Sequence, residues 1–88
     1  MNMHIFTASL SQDIPTIDLH GMRHMMSALE ELEKKLYTYY QQGNKICRVI
    51  YGIGEGVLAK EVQDSLTKNP MVREWHHEET GGSCIVLL

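Results

Sequence analysis

A two-layer α/β sandwich is the fold class that these 88 residues predict, with elements in the order β-α-β-α-β-β and a mixed four-stranded sheet. Three observations carry that reading. The apolar spacing switches from alternation to three- and four-residue steps, and back, twice along the chain. Glycine or proline marks most of the switches. The C-terminal stretch then holds two strand-like runs around a short polar turn, which makes a hairpin. Strands joined through a helix pair in parallel by right-handed crossovers, while a hairpin adds an antiparallel strand, so the sheet is mixed. The helices cover one or two of its faces.

The first element is Thr16-Ile17-Asp18-Leu19-His20, which alternates apolar and polar side chains and stops at Gly21. It predicts a strand over 16–20 with Asp18 and His20 on one face. From Met22 the period lengthens: Met22, Met25, Met26, Leu29, Leu32, Leu36 and Tyr40 recur at helical steps, with Glu30, Glu31, Glu33, Lys34 and Lys35 between them. This is an amphipathic helix of about five turns, ended near Gly43-Asn44, with the methionines as core filling. Glu30 to Lys34 and Glu31 to Lys35 are i,i+4 pairs in the favourable order. Residues 45–51 have strand composition and run into Gly52-Ile53-Gly54-Glu55-Gly56. A second helix is predicted over 57–68, with Leu58, Val62 and Leu66 a turn apart and Asn69-Pro70 as its stop. Residues 71–77 form a third strand, 78–82 the turn, and 84–88 an apolar last strand. Residues 1–15, with Ser9, Ser11, Gln12 and Asp13 ahead of Pro15, form an N-terminal arm, laid over the domain or partly loose, before a domain over 16–88.

Composition narrows the function classes. A chain of this length makes one domain that buries about 60–65% of its unfolded surface. Hydrophobic residues at 43% and charged residues at 22% describe a globular domain and exclude a disordered chain. No apolar run approaches the roughly 20 residues that cross a bilayer, and the start Met1-Asn2-Met3-His4 is no signal peptide, so no membrane partner is expected. Cys47 and Cys84, without a Cys-x-x-Cys spacing, fit small core residues on neighbouring strands and a reduced, cytoplasmic setting. The formal charge of −3, from 8 Lys and Arg against 11 Asp and Glu, excludes a strongly basic, sequence-blind nucleic-acid binder. Arg23, Lys60 and Arg48 are the candidates for a local basic rim. His76 and His77 point to opposite strand faces and do not share a metal; one packs beside Trp75.

Ligands of open α/β sheets gather beyond the carboxyl ends of parallel strands. Two loops meet that description, Asp18 to Arg23 and Tyr51 to Gly56. Glycines at alternate positions let backbone approach a ligand and leave N–H groups at the next helix start for an anion, or they simply make a tight turn. The spacing is neither the dinucleotide fingerprint nor a P-loop. Asp18 and His20 project about 7 Å apart by strand rise. Such a pair can work as acid and base, hold a divalent ion or a water, or satisfy nearby backbone groups.

Taken together, Ile17-Asp18-Leu19-His20-Gly21-Met22-Arg23, the long helix, Tyr51-Gly52-Ile53-Gly54-Glu55-Gly56-Val57-Leu58, and Gly81-Gly82-Ser83 before an apolar strand resemble the small MutS-related (Smr) domain over about residues 16–88. The resemblance implies a nucleic-acid-binding domain, found alone or at the C-terminus of a MutS paralogue, whose members often nick DNA or cleave RNA. Its implied reaction is phosphodiester hydrolysis in a repair or quality-control setting, with DNA or RNA as partner. The family's cleavage motif falls on Ile17-Asp18-Leu19-His20, with Ile for the usual Leu, and its glycine motif on Gly52, Gly54 and Gly56. Asp18 and His20 are then the catalytic candidates, positioning or deprotonating the attacking water. Gly21, Arg23, Gly52, Gly54, Gly56 and Lys60 are the candidates for binding nucleic acid, with glycine-loop N–H groups on the scissile phosphate. A divalent cation such as magnesium is the cofactor such chemistry suggests, with no ligand set assigned.

The departures from the family pattern carry information too. Tyr51 stands where many members have His, Ile53 and Glu55 where Lys and Thr are common, and Ala59 where a basic residue is usual, with Lys60 adjacent. Fewer cations weaken phosphate affinity. The alternative reading is therefore a non-catalytic module of the same fold that binds nucleic acid or protein, favoured by the charge of −3 and by Glu55. A small-molecule phosphate domain is a third.

Overall fold

The computed structural model describes residues 14–54 and 56–88 of the chain. The arm expected at the N-terminus falls largely on residues 1–13, outside the described residues.

Strand β1 (Thr16–Asp18) is three residues long, not five. It ends early because Leu19 turns into the core, fully buried, while the Asp18 carboxylate accepts the His20 N–H at 3.1 Å. That local bond offers the backbone an alternative to the ladder. Helix α1 (Met25–Gln41) starts three residues later than the spacing from Met22 suggests, after His24 in extended conformation. Its buried stripe is Ala28, Leu32 and Leu36, with Leu29 and Tyr39 packed beside it. Met22, Met26 and Tyr40 are 38%, 69% and 52% exposed, so they are not core residues as the sequence suggested. At 100° per residue, Tyr39 lies about 20° from the direction of Leu32, whereas Tyr40 lies about 80° and Met26 about 120° away. Tyr39 instead reaches the sheet, its hydroxyl donating to the Thr16 carbonyl at 3.2 Å. Of the two helical ion pairs expected, Glu31–Lys35 forms, at 3.6 Å.

Strand β2 (Ile46–Ile50) leads through the glycine loop to helix α2 (Val57–Lys68), whose bounds agree with the sequence reading and whose core residues are Val62 and Leu66. Strands β3 (Glu74–His77) and β4 (Ser83–Leu87) form the hairpin. The sheet order is β1-β2-β4-β3, with β1 and β2 parallel, Ile17 facing Val49, and both β4 pairings antiparallel. The last strand thus inserts between β2 and β3, so the strands flanking α2 are not neighbours. Burial explains the order: Cys84, Ile85 and Val86 are fully buried, as a central strand requires, whereas Glu74, His76 and His77 are exposed and suit an edge.

Both helices lie on one face of the sheet. Ile17, Cys47, Val49, Cys84 and Val86 pack there against Leu32, Leu36, Val62 and Leu66, with Leu19, Tyr51 and Leu88 closing the ends. Burial pushes the Cys47 and Cys84 thiols up to about 12, so neither is a ready nucleophile or metal ligand. Trp75 and His77 meet edge to face at 5.1 Å on the helix side, while His76 on the other side lies 3.4 Å from Glu74. Among the described residues no helix is long and apolar enough to cross a membrane.

Candidate active site

Parallel pairing of β1 with β2 sets Asp18 beside Ile50, so the loops that leave these two strands emerge side by side. The first loop brings Asp18 and His20 into direct contact instead of holding them a strand repeat apart. The Asp18 Oδ1 atom accepts both the His20 backbone N–H and the ring Nδ1. Both side chains are open to solvent, at 48% for Asp18 and 64% for His20, while Leu19 between them is buried and fixes their base. The ring's Nε2 has no partner among the described residues. A neutral imidazole that donates from Nδ1 to a carboxylate presents Nε2 as an acceptor, which is the arrangement of an oriented general base.

The hydrogen bond from the His20 ring holds the Asp18 carboxyl below its ordinary value of 3.8; slight burial opposes this, and the His20 N–H and ring charge add to it. A carboxyl lowered in the folded state contributes stability above its unfolded pKa and loses it as pH falls through the folded value. Asp18 is therefore ionised at neutral pH and takes up its proton only below 3.8. A carbon-13 titration of the Asp18 carboxyl should show a midpoint under 3.8 that moves upward in His20→Ala; an unmoved midpoint would mean that the contact does not form in solution.

The second loop closes on the first. Gly52 has φ +87°, and a Cβ built there would come 3.3 Å from the His20 Cβ, so only glycine lets the two loops touch. The Gly52 N–H donates to the Gly82 carbonyl at 2.9 Å and is not available to a phosphate, contrary to the sequence reading. Among the described residues the remaining donors of this loop are at Ile53 and Gly54 and at the start of α2, whose N-cap Gly56 supplies no side chain. Glu55 lies outside the described residues.

Arg23 and Lys60 are exposed at this end of the sheet, and among the described residues neither makes an ion pair or side-chain hydrogen bond. Gly21 also lies in the exposed turn after His20, with φ +79°. Arg48 does not join this rim. It sits in mid-strand on the helix-free face, donating to the Glu78 carboxylate at 2.7 and 3.1 Å. A groove of about 620 Å³ lined by Glu33, Ser65, Lys68, Asn69, Pro70 and Met71 lies at the far end of α2 and takes no part in the site. The described residues form no all-protein magnesium cage, and the Asp18 carboxylate is the group that would hold such an ion alongside water and substrate phosphates. Asp18 Oδ1 already accepts two bonds from His20, and the described residues hold no group of three or more His, Cys, Asp or Glu side chains that could ligate a metal.

Comparison with known proteins gives the family and the fold. The Smr domain family matches residues 17–88. The chain belongs to the Smr family. Endonuclease MutS2 of Aquifex aeolicus is 35% identical to it over 75 residues, 83% of this chain and 10% of that protein. Ribosome rescue factor SmrB of Shewanella oneidensis is 34% identical over 74 residues, 82% of this chain and 42% of that protein. The chain thus spans less than half the length of either relative. The crystal structure of the Smr domain of Thermus thermophilus MutS2 has the same fold, with a TM-score of 0.78 at 23% identity, covering 84% of this chain and 96% of that one.

Within this Smr domain the departures at the glycine loop have distinct structural meanings. Tyr51 points into the core and is 5% exposed; its hydroxyl donates to the Ser83 carbonyl at 3.2 Å and lies 3.4 Å from the Gln63 amide. Burial raises its pKa, and with its hydroxyl engaged in the core it is a packing residue. Ile53 is the reverse, 83% exposed at the loop tip. The contribution of Gly82, which touches both Gly52 and Ile53, escaped the residue-level reading of the sequence. Its only signal there was the Gly81-Gly82-Ser83 run.

Proposed function

We propose that this Smr domain is an endonuclease that hydrolyses phosphodiester bonds in DNA or RNA, acting in the cytoplasm in repair or quality control. The observation that carries this reading is the His20 ring, held at Nδ1 by Asp18 with Nε2 facing solvent, directly beside Gly52. His20 takes a proton from the attacking water through Nε2 as the new P–O bond forms and the bond to the leaving sugar oxygen breaks, that oxygen taking its proton from solvent, and Asp18 holds the ring in the required tautomer and stabilises its protonated form. The scissile phosphate lies between His20 and the α2 start, where the N–H groups around Gly54 and Gly56 face its developing charge. Arg23 and Lys60 neutralise flanking phosphates, and Gly21 gives the first loop room to approach the strand.

A second reading is supported by charge. The formal charge of −3, and a loop tip that carries Ile53, suit a non-catalytic module that binds nucleic acid or protein. Substitution at that tip tests whether the loop meets phosphate at all. Ile53→Lys adds a cation to a side chain that is 83% exposed, so folding is unaffected. It should tighten nucleic-acid binding and steepen the plot of log K against log salt by about one unit. An unchanged slope in a filter-binding series would remove the loop from the interface.

A further inference from the structure

We propose that the β3–β4 turn is the third wall of the site, and that Gly82 and Glu78 are positioning residues that hold the glycine loop against His20. The inference rests on the reading of His20 as the reacting base, but its geometry stands apart from that reading. The Gly82 carbonyl accepts two consecutive N–H groups, from Tyr51 at 3.0 Å and Gly52 at 2.9 Å, and so fixes the exit of β2. The approach is close. A Cβ on Gly82 would lie 3.2 Å from the Ile53 Cγ1, 3.3 Å from the Gly52 carbonyl carbon and 3.4 Å from the Ile53 nitrogen. Gly52 in turn stands against His20, at 3.3 Å for the corresponding Cβ contact. The turn, the loop and the histidine are therefore stacked through two glycines, and a shift in the first is passed to the third.

Such a wall works only if the turn itself cannot move, and turns ordinarily do. Here it is tied down from beneath. The Glu78 Oε1 accepts the Ser83 hydroxyl at 2.8 Å and the Arg48 Nε at 2.7 Å, while Oε2 accepts Arg48 Nη2 at 3.1 Å. Glu78 and Arg48 are 11% and 18% exposed, which makes this charge-assisted fork stronger than a surface pair. Ser83 also meets the Thr80 hydroxyl at 3.2 Å, and its carbonyl accepts the Glu78 N–H at 3.1 Å and the Tyr51 hydroxyl at 3.2 Å. The ion pair links mid-β2 to the turn, and the turn returns to the end of β2 through Gly82. The loop is clamped by its own strand.

The test compares wild type with Gly82→Ala and Ser83→Ala, by nuclear magnetic resonance and by cleavage of a labelled oligonucleotide. Gly82→Ala should shift the Gly52 and Ile53 amides and the His20 ring resonances while leaving Leu66 and Thr67 at the far end of α2 unmoved. Where wild type cleaves, kcat should fall by about tenfold to a hundredfold, the range for a small misplacement of a reacting group, with nucleic-acid affinity retained. Ser83→Ala, which removes the hydroxyl contacts to Glu78 and Thr80 and leaves Gly82 in place, should give smaller shifts at the same residues, and it decides the matter if Gly82→Ala does not fold. Unmoved His20 and Gly52 resonances in the folded variants would overturn the inference, as would an unchanged kcat. A wild type that does not cleave would remove the proposed reaction yet leave the resonance comparison to decide the geometry.

Discussion

His20→Ala should lower phosphodiester cleavage by about a hundredfold to ten-thousandfold, the range that a positioned acid–base group supplies. Nucleic-acid affinity should change little, because the ring meets the attacking water and not the bound ground state. Asp18→Asn keeps the size of the side chain and one acceptor oxygen but removes the negative charge that would stabilise a protonated His20 ring. Its loss should therefore also appear in kcat. The double variant should be little worse than His20→Ala alone, since residues acting as a unit are strongly non-additive. Steady-state rates on one substrate at fixed salt check this; additive losses would mean that Asp18 and His20 act separately.

Leu19→Ala should damage both stability and site. Leu19 is fully buried between the two candidate catalytic residues and packs into the common core. Removing its branched end from a close-packed interior costs about 2–5 kcal/mol. A domain of this size has only about 5–10 kcal/mol to lose, so the melting temperature should fall by more than about 8 °C. Any remaining folded fraction should have reduced activity, because Leu19 holds the turn on which Asp18 captures His20. Melting followed by circular dichroism measures the first effect. A loss under 1 kcal/mol would place Leu19 outside the core.

Much of this architecture can be read in the residues because one-sided burial imposes a period. Leu58, Val62 and Leu66 mark α2, and the stop at Asn69-Pro70 is explicit in the sequence. The phase of α1 was less legible because Met22 and Met26 match the apolar spacing while lying outside the buried arc, and periodicity alone does not tell an exposed methionine from a buried one. The insertion of β4 between β2 and β3 is a long-range choice, set by which strand can lie buried on both faces. The apolar run Cys84 to Leu87 within β4, beside the more polar β3, is its available signal.

The site divides along the same line. The Asp18-x-His20 spacing marks the pair, but direct contact depends on the strand ending at Asp18, which follows from the Asp18 bond to the His20 N–H. The glycine spacing marks a close approach without saying what approaches. The Gly52 N–H proved to be taken by Gly82, thirty residues on, a partner that only the sheet order brings near. In the same way Arg48 looked like a free cation until the hairpin set Glu78 against it.

The central claim is that Asp18 and His20 cleave phosphodiester bonds, and its most direct test is a comparison of identically purified wild type and the Asp18→Ala, His20→Ala double variant. Supercoiled DNA and a structured RNA should each be offered, with magnesium and with chelator. Wild type should cleave at least one substrate and the double variant neither, with binding retained. Equal cleavage by both proteins, or binding without cleavage by wild type, would contradict that claim.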